Sequence, residues 1–256
     1  MTGTSRPLDG IRILDFSRVL AGPLSTALLA DLGAEVIKVE PPTGDDYRVI
    51  GPMKNGISSL FTALNRNKKS LTLDLKHPQA AQTIAALAQQ VAVVVETFRP
   101  GVAERLAVGP EALRRINPGL VYVSVSGFGK TGPLSHQPAY DIIVQAMSGL
   151  MEATGEADGP PTMVGAAVSD VIAGLFASWA TLAALLQKQR TGEGQHVDVA
   201  MFDTTLSFLV TAVGRYIFTG QPAGRHGNRH AFSAPFGVYR AADGHFALAV
   251  LNNKLF

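Results

Sequence analysis

One carboxylate stands at the mouth of a long uncharged segment. In the stretch VSDVIAG at residues 168–174, Asp170 precedes a 17-residue run, 171–187, that contains no charge. A helix built from VIAGLFASWATLAALLQ is apolar on every face and is expected to be buried all round. At this length, with Ser178 and Thr181 inside it, the run sits at the short end of membrane spans, and a core helix fits better. At the helix entrance Asp170 has two possible uses. It can accept hydrogen bonds from orphan backbone amides as an N-cap. It can also stand ionised beside a dry interior, where a carboxylate is a nucleophile rather than a solvated charge.

Other residues with chemical potential are weaker. Gly127-Phe-Gly-Lys-Thr-Gly132 fits G-x-G-x-x-G and follows a strand-like run. Pro133, Ser135, His136, Gln137 and Pro138 then stand where a dinucleotide fingerprint starts its helix. The P-loop spacing fails as well, because position 124 is Ser. A glycine-hinged loop lining a ligand crevice is the expectation. His226 and His230 have helical metal spacing, but Gly227 lies between them and no acidic third ligand is near, so they read as loop histidines. Asp15 and Asp31 are isolated. Arg66, Lys68, Lys69 and Lys76 surround one strand-like run, and Arg99 and Arg105 follow the next. These six are either a solvated surface or a footprint for cofactor phosphates.

The elements that must position these groups alternate. Strand patterns fall at 11–16, 35–40, 70–75, 91–96 and 121–126, with helical patterns at 23–32, 58–65, 79–89 and 111–116. Such alternation predicts an α/β fold, a parallel sheet covered by helices. VAVVVE is nearly continuous in Val, as a strand buried on both faces should be. Long apolar helices are expected at 141–153 and 170–188, a strand at 196–201 and a further helix at 204–218. After Gly220 the text turns rich in Gly, Pro and His. That marks a boundary between a large domain, 1–219, and the beginning of a second, 220–256.

Composition narrows the class. Of 256 residues 46% are hydrophobic and 16% charged, enough apolar material for a sizeable core and too little charge for disorder. A net charge of +2 carries no nucleic-acid signature. Without cysteine there is no thiol nucleophile, disulfide framework or Cys-ligated metal. The first residues, MTGTSRPLDG, lack a signal-peptide pattern, so a soluble cytoplasmic protein is expected.

Several phrases in order carry a resemblance: PLDGIRILDFSRVLAGP, DLGAEVIKVEPPTGD, LNRNKKSLTLDLK, VVETFRPGVAERLAVG, INPGLVYVSVSGFGKTGP, AYDIIVQAMSGLMEATG, DGPPTMVGAAVSD and RTGEGQHVDVAMFD. Together they resemble the family III CoA-transferases, the group of formyl-CoA and carnitine-type CoA-transferases. The resemblance implies a Rossmann-like large domain, a smaller second domain and a homodimer of interlocked rings. It implies coenzyme A, as acyl-CoA, at the carboxyl end of the sheet, with no metal or redox cofactor and with a carboxylic acid acceptor as the other substrate. Nucleic acid and membrane are not expected partners.

By the same resemblance Asp170 is the nucleophile. Val19, Leu20 and Ala21 match the first CoA-contacting loop. Leu73, Asp74, Leu75 and Lys76 match the strand end that meets adenine and phosphate. Thr97, Phe98, Arg99 and Arg105 match the next CoA-contacting segment. Pro138, Ala139, Tyr140 and Asp141 match a loop beside the thioester. The implied chemistry runs through an aspartyl–acyl anhydride and an aspartyl-CoA thioester. It needs water kept out and an oxyanion stabilised by amides near Asp170 or by the 127–132 loop. The related α-methylacyl-CoA racemases carry a His where this chain has Tyr140, so transfer is preferred to racemisation. Pro138 replaces the Lys of formyl-CoA transferases, and the glycine-rich loop that some members place over the aspartate is missing. Family members are longer, so the rest of the small domain is expected beyond Phe256; a CoA-binding chain without turnover is the other class of function.

Overall fold

The computed structural model describes residues 5–256. Along the chain run β1 (Arg12–Asp15), α1 (Ala21–Asp31), β2 (Glu35–Glu40), β3 (Met53–Lys54), β4 (Ile57–Ser58), α2 (Ser59–Leu64), β5 (Lys68–Thr72), α3 (Ala80–Ala88), β6 (Val93–Glu96), α4 (Val102–Arg105), α5 (Pro110–Ile116) and β7 (Val121–Ser126). There follow α6 (Asp141–Met147), α7 (Val168–Thr191), β8 (His196–Ala200), α8 (Met201–Phe208), α9 (Val210–Thr219), β9 (Phe236–Arg240) and β10 (His245–Ala249).

Six strands form one parallel sheet in the order β5-β2-β1-β6-β7-β8. Counted along the chain within the sheet, this is the doubly wound Rossmann order, which reverses between β1 and β6. Alternate residues feed two cores. Ile13, Val93 and Val95 pack with Leu29, Ala173 and Ala177 on one face. Leu14 and Val94 pack with Ile84, Leu113 and Tyr122 on the other. All four β6 residues are buried, which explains the unbroken Val run there.

Several expected boundaries move. The strand expected at 70–75 is β5, because its ladder with β2 runs from Lys68 beside Val36 to Thr72 beside Glu40 and stops where β2 stops. The helix expected to reach residue 153 ends at Met147, capped by Ser148 and turned by Gly149 at φ 84°. The helix expected at 204–218 is two, since Leu209 with ψ 27° leaves the helical region.

α7 is the larger correction: it is buried on one face only. Ile172, Ala173, Ala177, Thr181, Ala184 and Leu185 are buried and face α1, β7 and β8. Leu175 (50% exposed), Trp179 (66%) and Leu186 (60%) point away from them. The helix is long and apolar enough to cross a membrane by length and composition, yet its small-residue stripe is sealed inside the domain. Contact with α1 is close enough to demand Gly174, where a Cβ would stand 2.7 Å from the Ala21 carbonyl oxygen.

Beyond Gly220, β9 and β10 pair with each other as an antiparallel hairpin. The connecting segment is tied back by Gly227 N–H donating to the Gly155 carbonyl at 2.8 Å and by an Arg225–Glu152 ion pair at 2.6 Å.

Candidate active site

Parallel strands deliver their following loops to one edge, and the crevice opens where the strand order reverses. Here that edge carries a cleft of about 450 Å³. Its walls are the 18–21 loop after β1, the 97–100 turn after β6, Val125–Gly127 at the end of β7, the 137–140 loop, Met201 and Asp170. Val19, Leu20, Ala21, Thr97, Phe98, Arg99, Pro138, Ala139 and Tyr140, from three separate stretches of the sequence, thus meet around Asp170.

Asp170 is not the N-cap of α7. That place belongs to Ala167, whose side chain cannot accept, and Asp170 is the third helical residue. The orphan amides are satisfied from another helix instead. Asp141 Oδ1 accepts the Ser169 and Asp170 N–H groups at 2.7 and 3.3 Å, and Oδ2 accepts from Gln145 Nε2 at 2.6 Å. Gln145, fully buried, also accepts the Val164 N–H at 3.0 Å, anchoring the approach to α7. Asp170 is thereby free to face the cleft. Burial first, and then the Asp141 carboxylate, push Asp170 up to about 7.

The first loop is strained into place. Val19 has φ 70°, a left-handed conformation that a β-branched residue rarely adopts. Arg18 N–H donates to Thr97 Oγ1 at 3.0 Å, and Val19 N–H to Asp45 Oδ1 at 3.4 Å. Beneath the loop every carboxylate has a cation. Lys68 and Lys38 hold Asp15 and Asp45 at 3.1 and 2.8 Å, all four side chains at most 2% exposed. Glu40 takes both guanidinium arms of Arg48 at 2.7 Å. Against the cost of burial, Lys68 and then Lys38 hold Asp15 down at about 2.

The glycine loop follows β7, the fifth strand of the sheet, and the next helix begins only at Asp141. It is a cleft wall rather than a dinucleotide turn. Gly127 is required there because a Cβ would stand 2.6 Å from that of Ala139. The amides of Ser169 and Asp170 are committed to Asp141, and those of Gly129 and Lys130 to Ser126 and Asp198. Those four amides, among the expected oxyanion donors, are therefore already taken.

Not every expected residue reaches the cleft wall. Asp141 sits directly behind it. Leu73 and Leu75 pack into the hydrophobic cluster that includes Phe98, and Asp74 accepts the Lys76 N–H at 3.0 Å. The basic cluster divides. Arg66, Lys68 and Lys69 are spent on Asp31, Asp15 and Glu35, which favours neither a free phosphate footprint nor, for the buried Lys68, a solvated surface. Lys76, Arg99 and Arg105 are exposed and have no ion-pair partner among the described residues. Arg18, Asp46, Ser126 and Met201 also line the cleft and were not expected; Arg18, next to Val19, was the one with a usable sequence signal. His226 contacts the Ala223 carbonyl while His230 stacks on Phe236, and neither lies on a helix. Among the described residues no three His, Asp or Glu side chains gather as metal ligands.

Residues 8–256 match the model of CoA-transferase family III. The chain is 48% identical over 252 residues to the acetyl-CoA:oxalate CoA-transferase of Acetobacter aceti, covering 98% of this chain and 65% of that one. It is 42% identical over 253 residues to the succinyl-CoA:glutarate CoA-transferase of Mus musculus, covering 98% and 58%. A crystal structure of a CAIB/BAIF family protein from Brucella suis superposes with a TM-score of 0.91 at 39% identity, covering 96% of this chain and 66% of that one. The chain therefore spans less than two thirds of the length of these relatives.

Proposed function

The chain belongs to CoA-transferase family III, and from that premise we propose that it transfers CoA from an acyl-CoA donor to a carboxylic acid through Asp170. The observation that carries this reading is a raised, partly buried carboxylate in the cleft at the sheet's switch point. One oxygen of ionised Asp170 attacks the donor thioester carbonyl; the C–S bond breaks and CoA thiolate leaves an aspartyl–acyl anhydride. Thiolate then attacks the aspartyl carbonyl, releasing the donor carboxylate and leaving an aspartyl-CoA thioester. The acceptor carboxylate attacks that thioester, and returning thiolate takes the acceptor acyl group from the new anhydride. In each step the attacker's electron pair forms the new bond and the pair of the broken bond leaves with the displaced group, and Asp170 is regenerated.

The raised affinity of Asp170 for a proton makes its ionised form a stronger nucleophile, provided the pH is high enough to ionise it. The cleft-lining backbone at Gly127 is the assigned oxyanion donor. CoA is assigned to the 18–21 and 97–99 walls, with Arg99, Arg105 and Lys76 left for its phosphates. Tyr140 at the cleft offers no imidazole, which supports transfer over proton exchange at an α-carbon. The relatives' names support a small dicarboxylate as acceptor. Residues 220–256 are assigned to a second, smaller domain. A second copy of the chain is assigned to the exposed apolar side of α7 at Leu175 and Trp179, read as particle mass in sedimentation.

Incubation with acyl-CoA, hydroxylamine trapping and mass spectrometry test the chemistry. Asp170 should carry a hydroxamate that Asp170→Asn lacks, with turnover lowered by roughly 10³-fold or more. CoA binding without a trapped Asp170 sinks the covalent route; deuterium wash-in at the α-carbon of a 2-methylacyl-CoA would point to racemisation instead.

A further inference from the structure

Glu96 ends β6 with its carboxylate in the interior, 1% exposed. One oxygen, Oε2, accepts the Phe98 N–H at 2.6 Å. The other, Oε1, takes the Lys130 ammonium at 3.2 Å. A single carboxylate therefore holds one wall of the cleft, the 97–99 turn, and reaches the loop that forms another, 127–132. Lys130 is fixed from the far side as well, its N–H donating to Asp198 Oδ2 on β8 at 2.7 Å. Gly129 N–H meets Ser126 Oγ at 3.0 Å, which closes the loop on itself.

Stability alone does not account for this arrangement. Glu96 follows three buried valines, and apolar replacements of a buried ion pair are often neutral or stabilising. What an apolar residue cannot do is grip a backbone amide on one wall and an ammonium on the other. We infer that Glu96 is a positioning residue that couples the 97–99 turn to the 127–132 loop, so that CoA seated on the first sets the second against the reacting carbonyl. This role rests on the CoA-transfer reading of the cleft, while the mechanical coupling itself does not.

Two variants separate those statements. Lys130→Met removes the ion pair at a side chain that is 23% exposed and does not line the cleft. Glu96→Gln keeps an acceptor for Phe98 and loses the charge. In the ligand-free protein, amide hydrogen exchange at Phe98 should rise roughly tenfold in Lys130→Met, although the change is on the other wall. With acyl-CoA, the rate per trappable Asp170 should fall roughly 10- to 100-fold while KM for acyl-CoA stays within about twofold. Lys130→Arg should restore both readouts. A merely structural role would lower thermal stability and the number of active sites and leave the rate per site intact. Unchanged Phe98 exchange overturns the coupling, and parental rates per site overturn its part in the reaction. If the parent protein traps nothing on Asp170, the transferase reading fails by itself, and Phe98 exchange still decides the coupling.

Discussion

The cleft and the buried network under β1, β2 and β5 treat the same functional group in opposite ways. Asp15 is wholly buried among Lys68, Lys38, Ser17 and Thr26 and is held at about 2. Asp170, less completely buried, has Asp141 as its charged neighbour and is pushed up to about 7. Burial raises a carboxylate in both places; the sign of the nearest charge decides the outcome. The paired region holds the strained 18–21 loop and is built for permanence. The unpaired carboxylate is costly when ionised, and that cost is what makes it reactive. An Asp that is easy to fold around is a poor nucleophile, so the two sites divide the labour.

Removing a cation from the paired region should have the largest effect. Lys68→Met leaves Asp15 buried without its ion-pair partner and should lose about 3–5 kcal/mol of stability in denaturant titration. A loss below about 1 kcal/mol would show that the network is not what holds the β1–β5 edge. At Asp170 the sign reverses. Its folded-state value lies above the ordinary carboxylate value of 3.8, so ionisation disfavours the folded state: the penalty is absent below about pH 4, grows towards pH 7 and is full above it. Asp170→Asn should therefore stabilise the protein by about 2 kcal/mol at pH 8, after allowance for solvent screening, and by almost nothing at pH 4. Melting curves across that range check it, and a destabilised variant at pH 8 would reverse the comparison. The smallest effect is at Asp141. Asp141→Asn keeps one acceptor oxygen for the α7 amides and removes the like charge. The acidic limb of the pH–rate profile, set by ionisation of Asp170, should move to lower pH; a limb that stays in place would assign the raised value to burial alone.

Much of this was legible in the residues. Strand–helix alternation led to a parallel α/β sheet, and the phrases around Asp170 led to a family; the six parallel strands bear out the first and the family match the second. Local propensity misplaced β5, because Leu71, Leu73 and Leu75 alternate like a strand past the point where β2 has ended. Burial of α7 was overread: a composition apolar on every side does not say which side meets a neighbour. The basic cluster left two readings open for a related reason. Charge counts along the chain carry no information about the acids that Arg66, Lys68 and Lys69 find on other elements.

Sequence alone determined that a carboxylate opens an uncharged helix at 170 and that a family of acyl-transfer enzymes shares its surroundings. Period and composition are local properties, and they survive being read in one dimension. Only the tertiary structure decided that Asp141, from a helix 29 residues earlier, caps α7 in place of Asp170 and sets a second negative charge behind it. Only it decided that Glu96, at the end of β6, meets Lys130 from the loop after β7. Electrostatic coupling acts through space and falls off over a few ångströms, so whether a given acid is paired or crowded is settled by the packing of distant segments.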